Sequence, residues 1–170
     1  MQGRPAANEA IPYYFTYIDQ VAGDDVLAVL ETQLDAEMPL LEGISEEGSL
    51  HRYAPEKWTL REVVSHVNDC ERVFLFRAFW FARGFESPLP SFDQNVAVAG
   101  ARPDELSWAS HLAELRTIRA ATLSLFQKLP AGAWDRTGLA SDNPFSVRAL
   151  AFIAAGHFAH HLRIVRERYL

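Results

Sequence analysis

Apolar residues recur along this chain at helical rather than alternating spacing, in four long runs separated by glycine and proline. The first covers about residues 24–41, where Val26, Leu27, Leu30, Leu34 and Met38 keep one face. Pro39 is expected to kink or end it early, and Gly43 and Gly48 follow as stop signals. The second run, about residues 60–83, has the strongest start. Thr59 is a good N-cap, Glu62 three residues on completes a capping box, and Trp58 and Val63 stand where a hydrophobic staple would clamp the entry. Gly84 ends it, and Pro88 and Pro90 keep it ended. The third, about residues 107–129, keeps Leu112, Leu115, Ile118, Thr122, Leu125 and Leu129 on one face and closes at Pro130 and Gly132. The fourth starts at Pro144 or Ser146 and runs to the C-terminus, with a stripe through Leu150, Ala154, His157, His161 and Ile164.

Four long helices with little β signal predict an all-α four-helix bundle. The connections 42–58, 84–106 and 130–143 are long enough to cross over the bundle or cover one end. The 84–106 segment exceeds an ordinary loop, so it is expected to be functional or to contain a short helix. Residues 1–22 form an arm rich in aromatics (Tyr13, Tyr14, Phe15, Tyr17), expected to pack on a single body spanning 23–170. The stretch Phe74, Leu75, Phe76, Phe79, Trp80 and Phe81 is apolar on more than one helix face and so needs cover on several sides. The arm, the long loop or a second subunit could supply it, and a homodimer is the leading expectation.

Composition narrows the classes. The chain has 170 residues, 49% of them hydrophobic, which supplies a core without disulfides. A net charge of -6 argues against a nucleic-acid partner, because neutralising phosphates needs clustered cations. The single cysteine, Cys70, forbids an intramolecular disulfide and fits a reducing compartment. No run approaches the length of a membrane span, and residues 1–10 lack the apolar core of a signal peptide. The expectation is a soluble, cytoplasmic protein acting on a small molecule, without a membrane partner.

The candidate chemistry lies in the histidines. Three of the six, His157, His160 and His161, stand close together on the fourth helix. Side chains four apart share a helix face, so two imidazoles there can converge on one metal ion. The spacing leaves open whether His157 works with His160 or with His161. A third ligand must come from another helix, and His66 is the candidate, on the apolar seam with Val63, Val67 and Cys70. Phe158 stands where a zincin would carry its glutamate, so the cluster is not of that type. Neutral histidines suit Zn²⁺, Ni²⁺ or another late divalent ion, and three protein ligands leave positions open for water or substrate.

Three stretches carry a resemblance. Tyr53, Pro55, Lys57-Trp58-Thr59, Glu62, His66, Asp69 and Glu71 lie within one run from Tyr53 to Arg72. Phe92-Asp93-Gln94-Asn95 lies in the middle loop. The closing run begins at Ser146-Val147-Arg148-Ala149 and ends at Gly156-His157-Phe158-Ala159-His160-His161. In this order and spacing they resemble the DinB-like family over roughly residues 24–168. The resemblance implies a four-helix bundle in up-down-down-up order with a long crossover, often dimeric, and a metal triad on His66, His157 and His161. It also implies chemistry of the kind seen in transferases and isomerases that use a low-molecular-weight thiol.

The remaining polar residues are read against plainer roles. Asp69 could orient His66 or be a helix charge near Arg72. Asp93 could act as a general base in a metal-dependent reaction or cap a turn. Cys70 reads as a buried, inert thiol rather than a ligand. Arg77 and Arg119 could hold a substrate carboxylate, although internal ion pairing is the favoured role. His51 and His111 read as ordinary surface or loop residues. Together these point to a metal-dependent enzyme, a thiol S-transferase or a hydrolase acting on a small electrophile. The alternative is a non-catalytic stress-response module that binds a metal or small ligand.

Overall fold

A computed structural model describes residues 3–170, so Met1 and Gln2 of the expected arm lie outside the described residues. The architecture is a four-helix bundle in up-down-down-up order, built from α2 (Val26–Glu42), α3 (Leu60–Ala82), α5 (Trp108–Phe126) and α6 (Val147–Ile164). Two short helices, α1 (Pro12–Ile18) and α4 (Gln94–Ala101), and one hairpin complete it. Helix α3 packs against α5 and α6, and α2 closes the other side against the same two helices. Because α3 and α5 are parallel neighbours, their connection must travel back along the bundle. A helix of 23 residues is about 35 Å long, which is why that connection is long enough to hold α4.

The helix ends follow the caps. The Thr59 hydroxyl accepts from the Glu62 N–H at 3.0 Å and Glu62 Oε2 accepts from the Thr59 N–H at 2.7 Å, so the capping box forms. Pro39 does not end α2, which continues to Glu42 and is capped at Gly43. The segment before α6 also departs from expectation. Residues 137–146 form an antiparallel hairpin, β1 (Thr137–Ala140) with β2 (Asn143–Ser146), pairing Thr137 with Ser146 and Ala140 with Asn143. Ser141 and Asp142 turn it with φ of 52° and 59°, the conformation of a two-residue primed turn. That turn usually announces itself as Asn-Gly; Ser-Asp hides it. The Leu89 N–H donates to Leu139 O, and the Ser141 N–H donates to Leu89 O, so the loop after α3 is stitched to the hairpin.

The core falls into two apolar clusters. One gathers α1, the hairpin, Phe74, Phe81, Phe126, Trp134 and the first half of α6. The other gathers the end of α2, the start of α3, Trp108, Leu115, Phe158 and Leu162. Between them lies a polar waist. There the buried Arg119 donates to Glu71 from Nε at 2.8 Å and from Nη2 at 2.9 Å, and its guanidinium covers the Phe158 ring at 5.0 Å. His111, expected at the surface, is instead buried on α5, with Nε2 at 2.9 Å from Pro103 O. The crossover folds back over that helix and covers it, which helical spacing alone does not foretell. Among the described residues no helix is long and apolar enough to cross a membrane.

Helix α1 lies directly on α6, and Gly156 makes this approach feasible. A Cβ at that position would overlap the Tyr17 carbonyl, which is backbone and has no rotamer by which to yield. Gly156→Ala is therefore expected to force α1 away and to cost about 1–3 kcal/mol, as overpacking of a filled interior does. Urea unfolding monitored by circular dichroism measures it; unchanged stability would show that α1 is not bound tightly.

The arm is also tied by charge. Glu9 accepts from Ser146 Oγ at 2.6 Å, from the Ala6 N–H at 2.9 Å and from Arg148 Nε at 3.0 Å. Burial alone would raise its pKa, but these partners outweigh it and hold the carboxyl below its ordinary 4.5. A depressed carboxylate contributes its stability above the unfolded value and loses it as pH falls through the folded one. Amide exchange in residues 12–18 is therefore expected to accelerate selectively as pH falls below about 4.5, after correction for intrinsic rates. Equal acceleration in α5 would mean global acid unfolding instead.

Candidate metal centre

Helices α3 and α6 face each other across the waist and bring three histidines together. His66 comes from α3; His157 and His161 sit one turn apart on α6. His66 Nε2 lies 3.2 Å from His157 Nε2, and His161 Nε2 lies 3.1 Å from the same atom. One nitrogen from each residue falls within a 4.8 Å cluster, the kind of grouping that can hold an ion. His160 turns elsewhere: its Nδ1 lies 3.3 Å from Gln20 Nε2, beside the arm. The geometry thus pairs His157 with His161, the choice that spacing left open.

The donor set suits a divalent cation. Three nitrogens at about 2.05 Å from a tetrahedral centre lie about 3.3 Å from one another, close to the two separations from His157, and all three nitrogens lie within 4.8 Å. All three rings are held neutral. Burial pushes His66 down to about 4 and His161 to about 3, where His66 and His160 add repulsion. His157 is pushed well below its ordinary value by burial and by the neighbouring imidazoles. Trp58 and Phe74 wall the site, with ring centroids 5.0 Å from His66 and 5.6 Å from His157.

A cavity of about 260 Å³ opens onto His66 and His157. Its other walls include Tyr13, Tyr14 and Tyr17 from the arm, Cys70, Phe74 and Arg77 from α3, Phe92 and Gln94 from the crossover, and Ser141 from the hairpin turn. Among the described residues the lining contains no carboxylate. The Tyr13 and Tyr17 hydroxyls are 3.1 Å apart, and burial followed by the Tyr13 hydrogen bond raises the Tyr17 pKa far above neutrality. Tyr17 therefore faces the site as a neutral hydroxyl. Cys70 Sγ lies 3.6 Å from His66 Nδ1, but burial, helped by Asp69, pushes its thiol up to about 12, so it stays protonated.

The two candidate carboxylates are engaged elsewhere. Asp69 accepts from Arg72 Nη1 at 3.0 Å. Asp93 is the N-cap of α4, with Oδ1 accepting from the N–H groups of Asn95 at 2.9 Å and Val96 at 3.1 Å. It holds in place a segment whose flanking residues, Phe92 and Gln94, line the cavity. The arm tyrosines and Ser141 were missed as cavity residues. The helical stripe His66, Cys70, Phe74 and Arg77 could have identified the α3 wall, since it repeats at three- and four-residue steps.

Comparison with known proteins follows the same lines. A family model described as the DinB superfamily matches residues 30–165. Among solved structures, YfiT from Bacillus subtilis, described as a probable metal-dependent hydrolase with an unusual four-helix bundle topology, is similar with a TM-score of 0.73 and 18% identity over 84% of this chain and 82% of that one. A mycothiol-dependent maleylpyruvate isomerase is similar with a TM-score of 0.68 and 12% identity. That match covers 85% of this chain but only 59% of the isomerase, so the isomerase carries a large further part. A search of curated proteins finds no match.

Proposed function

The chain belongs to the DinB superfamily, and on that premise we propose that it is a metal-dependent enzyme in which His66, His157 and His161 hold one divalent ion. The observation that carries this reading is the convergence of three neutral imidazole nitrogens beside a cavity. An ion held by three protein ligands keeps positions open and acidifies a bound thiol or water at neutral pH. The reaction is transfer of a thiol to, or hydrolysis of, a small electrophile. The lining favours the thiol branch: hydrolysis gains from a carboxylate base, and none faces the cavity, whereas a thiol needs only to lose its proton once. Tyr17 supplies a neutral hydroxyl donor, and Phe74 and Phe92 limit access of bulk water. Asp93 serves as a positioning residue by capping α4. Zn²⁺ or Ni²⁺ and a low-molecular-weight thiol are the proposed cofactors, in the cytoplasm.

The test begins with elemental analysis of untagged protein purified without added metal. About one metal per chain is expected, together with consumption of a thiol by 1-chloro-2,4-dinitrobenzene that stops on chelation. Metal without turnover of thiol or hydrolysis of activated esters would leave a binding module. Absence of metal after reconstitution with Zn²⁺ and Ni²⁺ would overturn the site.

A homodimer belongs to this proposal. Phe76, Phe79 and Phe85 are exposed beside a trough between α3 and α5, whose lining includes Leu75, Ala121 and Leu125 together with Arg72, Arg83 and Lys128. Light scattering is expected to report about twice 19.1 kDa at micromolar concentration; a mass of one chain would remove the dimer.

A further inference from the structure

Three arginines are buried in the bundle to almost the same degree, and two of them are neutralised; Arg61, 5% exposed, pairs with Glu46. Arg119 is 2% exposed and makes a two-bond ion pair with Glu71. Arg77 is 4% exposed and makes no ion pair among the described residues. A buried guanidinium without a counter-charge is unusual, because leaving water is costly for a cation unless an anion compensates.

Its surroundings compensate only in part. Nη2 donates to Ser141 Oγ at 2.9 Å and to Pro90 O at 3.5 Å. The guanidinium lies 5.7 Å from the Phe145 ring centroid. The Tyr14 hydroxyl is its remaining hydrogen-bond neighbour; burial raises the pKa of that phenol, and the Arg77 charge partly offsets the rise. A guanidinium has five N–H donors, so these three partners leave at least two for another acceptor. The cavity that Arg77 lines is the one that opens onto His66 and His157. Arg77 stands three helical turns, about 16 Å of axis, from His66 on the same stripe of α3.

We infer that Arg77 is the anion subsite of this cavity, and that the enzyme's ligand is a small organic acid whose carboxylate seats on its guanidinium. The inference deepens the proposed function and rests on it for the identity of the reacting site. A carboxylate fits better than a phosphate. The planar fork matches two carboxylate oxygens, whereas a dianion would meet, among the described residues of the lining, no lysine or arginine besides Arg77. Walls of Tyr14, Phe74 and Phe92 suit an apolar or unsaturated body on that acid, and about 260 Å³ limits it to a small metabolite. The acid is either the electrophile or the thiol.

Metal-free and metal-loaded protein would each be titrated with benzoate and its neutral isostere benzamide, following tyrosine and tryptophan fluorescence. A second arm would compare 3-mercaptopropionate with 3-mercaptopropanol. In at least one pair the acid is expected to bind about 10–100-fold more tightly than its neutral partner, the range of a charge-assisted hydrogen bond. Arg77→Gln should erase that difference, and Arg77→Lys should recover only part of it, with metal content and far-ultraviolet circular dichroism retained. A preference confined to the benzoate pair assigns the carboxylate to the electrophile; one confined to the mercapto pair assigns it to the thiol. Equal binding of acid and neutral partner in both pairs, or an acid preference that survives Arg77→Gln, overturns the inference. So does inorganic phosphate displacing the acids at lower concentration than it takes to bind elsewhere. Should Arg77→Gln fail to fold, Arg77→Lys with the isostere comparison decides. An Arg77-dependent acid preference in protein that takes up no Zn²⁺ or Ni²⁺ would refute the metal centre alone, while one metal per chain without acid preference would refute the subsite alone.

Discussion

Replacing His157 by alanine is expected to lower the affinity for Zn²⁺ or Ni²⁺ by more than about 100-fold, since even residues that only orient a ligand cost 10–100-fold when removed. His157 is the central member: both other Nε2 atoms lie within 3.2 Å of its own. It is also buried, like His66. Stabilisation by added Zn²⁺ should vanish in the variant, whatever truncating a buried ring costs the metal-free fold. Competition with a chromophoric chelator gives the affinity, and a thermal scan with and without Zn²⁺ gives the linked stabilisation. Wild-type affinity in the variant would show that the metal is held elsewhere. His160→Ala serves as the control and should keep full occupancy, because that ring faces Gln20 and not the cluster.

Glu71→Gln should destabilise the fold by about 3–5 kcal/mol, the cost of leaving one member of a buried pair without its counter-charge. Glu71 and Arg119 are each no more than 3% exposed, and two parallel hydrogen bonds join them. Arg119 reaches on to Gln33 Oε1 at 3.2 Å and Leu30 O at 3.4 Å, so one guanidinium links α2, α3 and α5 across the waist. The double variant Glu71→Leu with Arg119→Met should recover much of the loss, because burying no charge costs less than burying one. Chemical unfolding of the single and double variants closes the cycle. Equal loss in both would mean that packing, not charge, accounts for the effect.

These two residues show where sequence reasoning stops. Both are polar letters on apolar stripes, and so is Arg77. Spacing treats Arg77 and Arg119 alike, and internal pairing was the expectation for each. The pairing exists only for Arg119, because α5 lies beside α3 at the level of Glu71, while Arg77 meets the crossover and the hairpin turn. Likewise His111 reads as a surface residue until the crossover is folded over it at Pro103. Pro39 reads as a stop, yet the surrounding packing carries α2 through it to Glu42.

The sequence by itself determined the elements and their class. Apolar periodicity, the Thr59–Glu62 capping box and the glycine and proline breaks are local signals, and local backbone energetics reads them without long-range help. It also carried the family resemblance, and with it the expectation that His66 joins His157 and His161. Only the tertiary structure decided what meets across the waist. Whether His160 or His161 faces α3, whether Asp93 faces the cavity or caps α4, and which arginine finds a carboxylate depend on the rotation and registry of helices about their axes. A turn of one residue is 100°, and a one-letter pattern does not resolve it. The Ser141-Asp142 turn, the Gly156 contact with α1 and the charge left on Arg77 arise from segments distant in sequence packing together, and no local propensity encodes them.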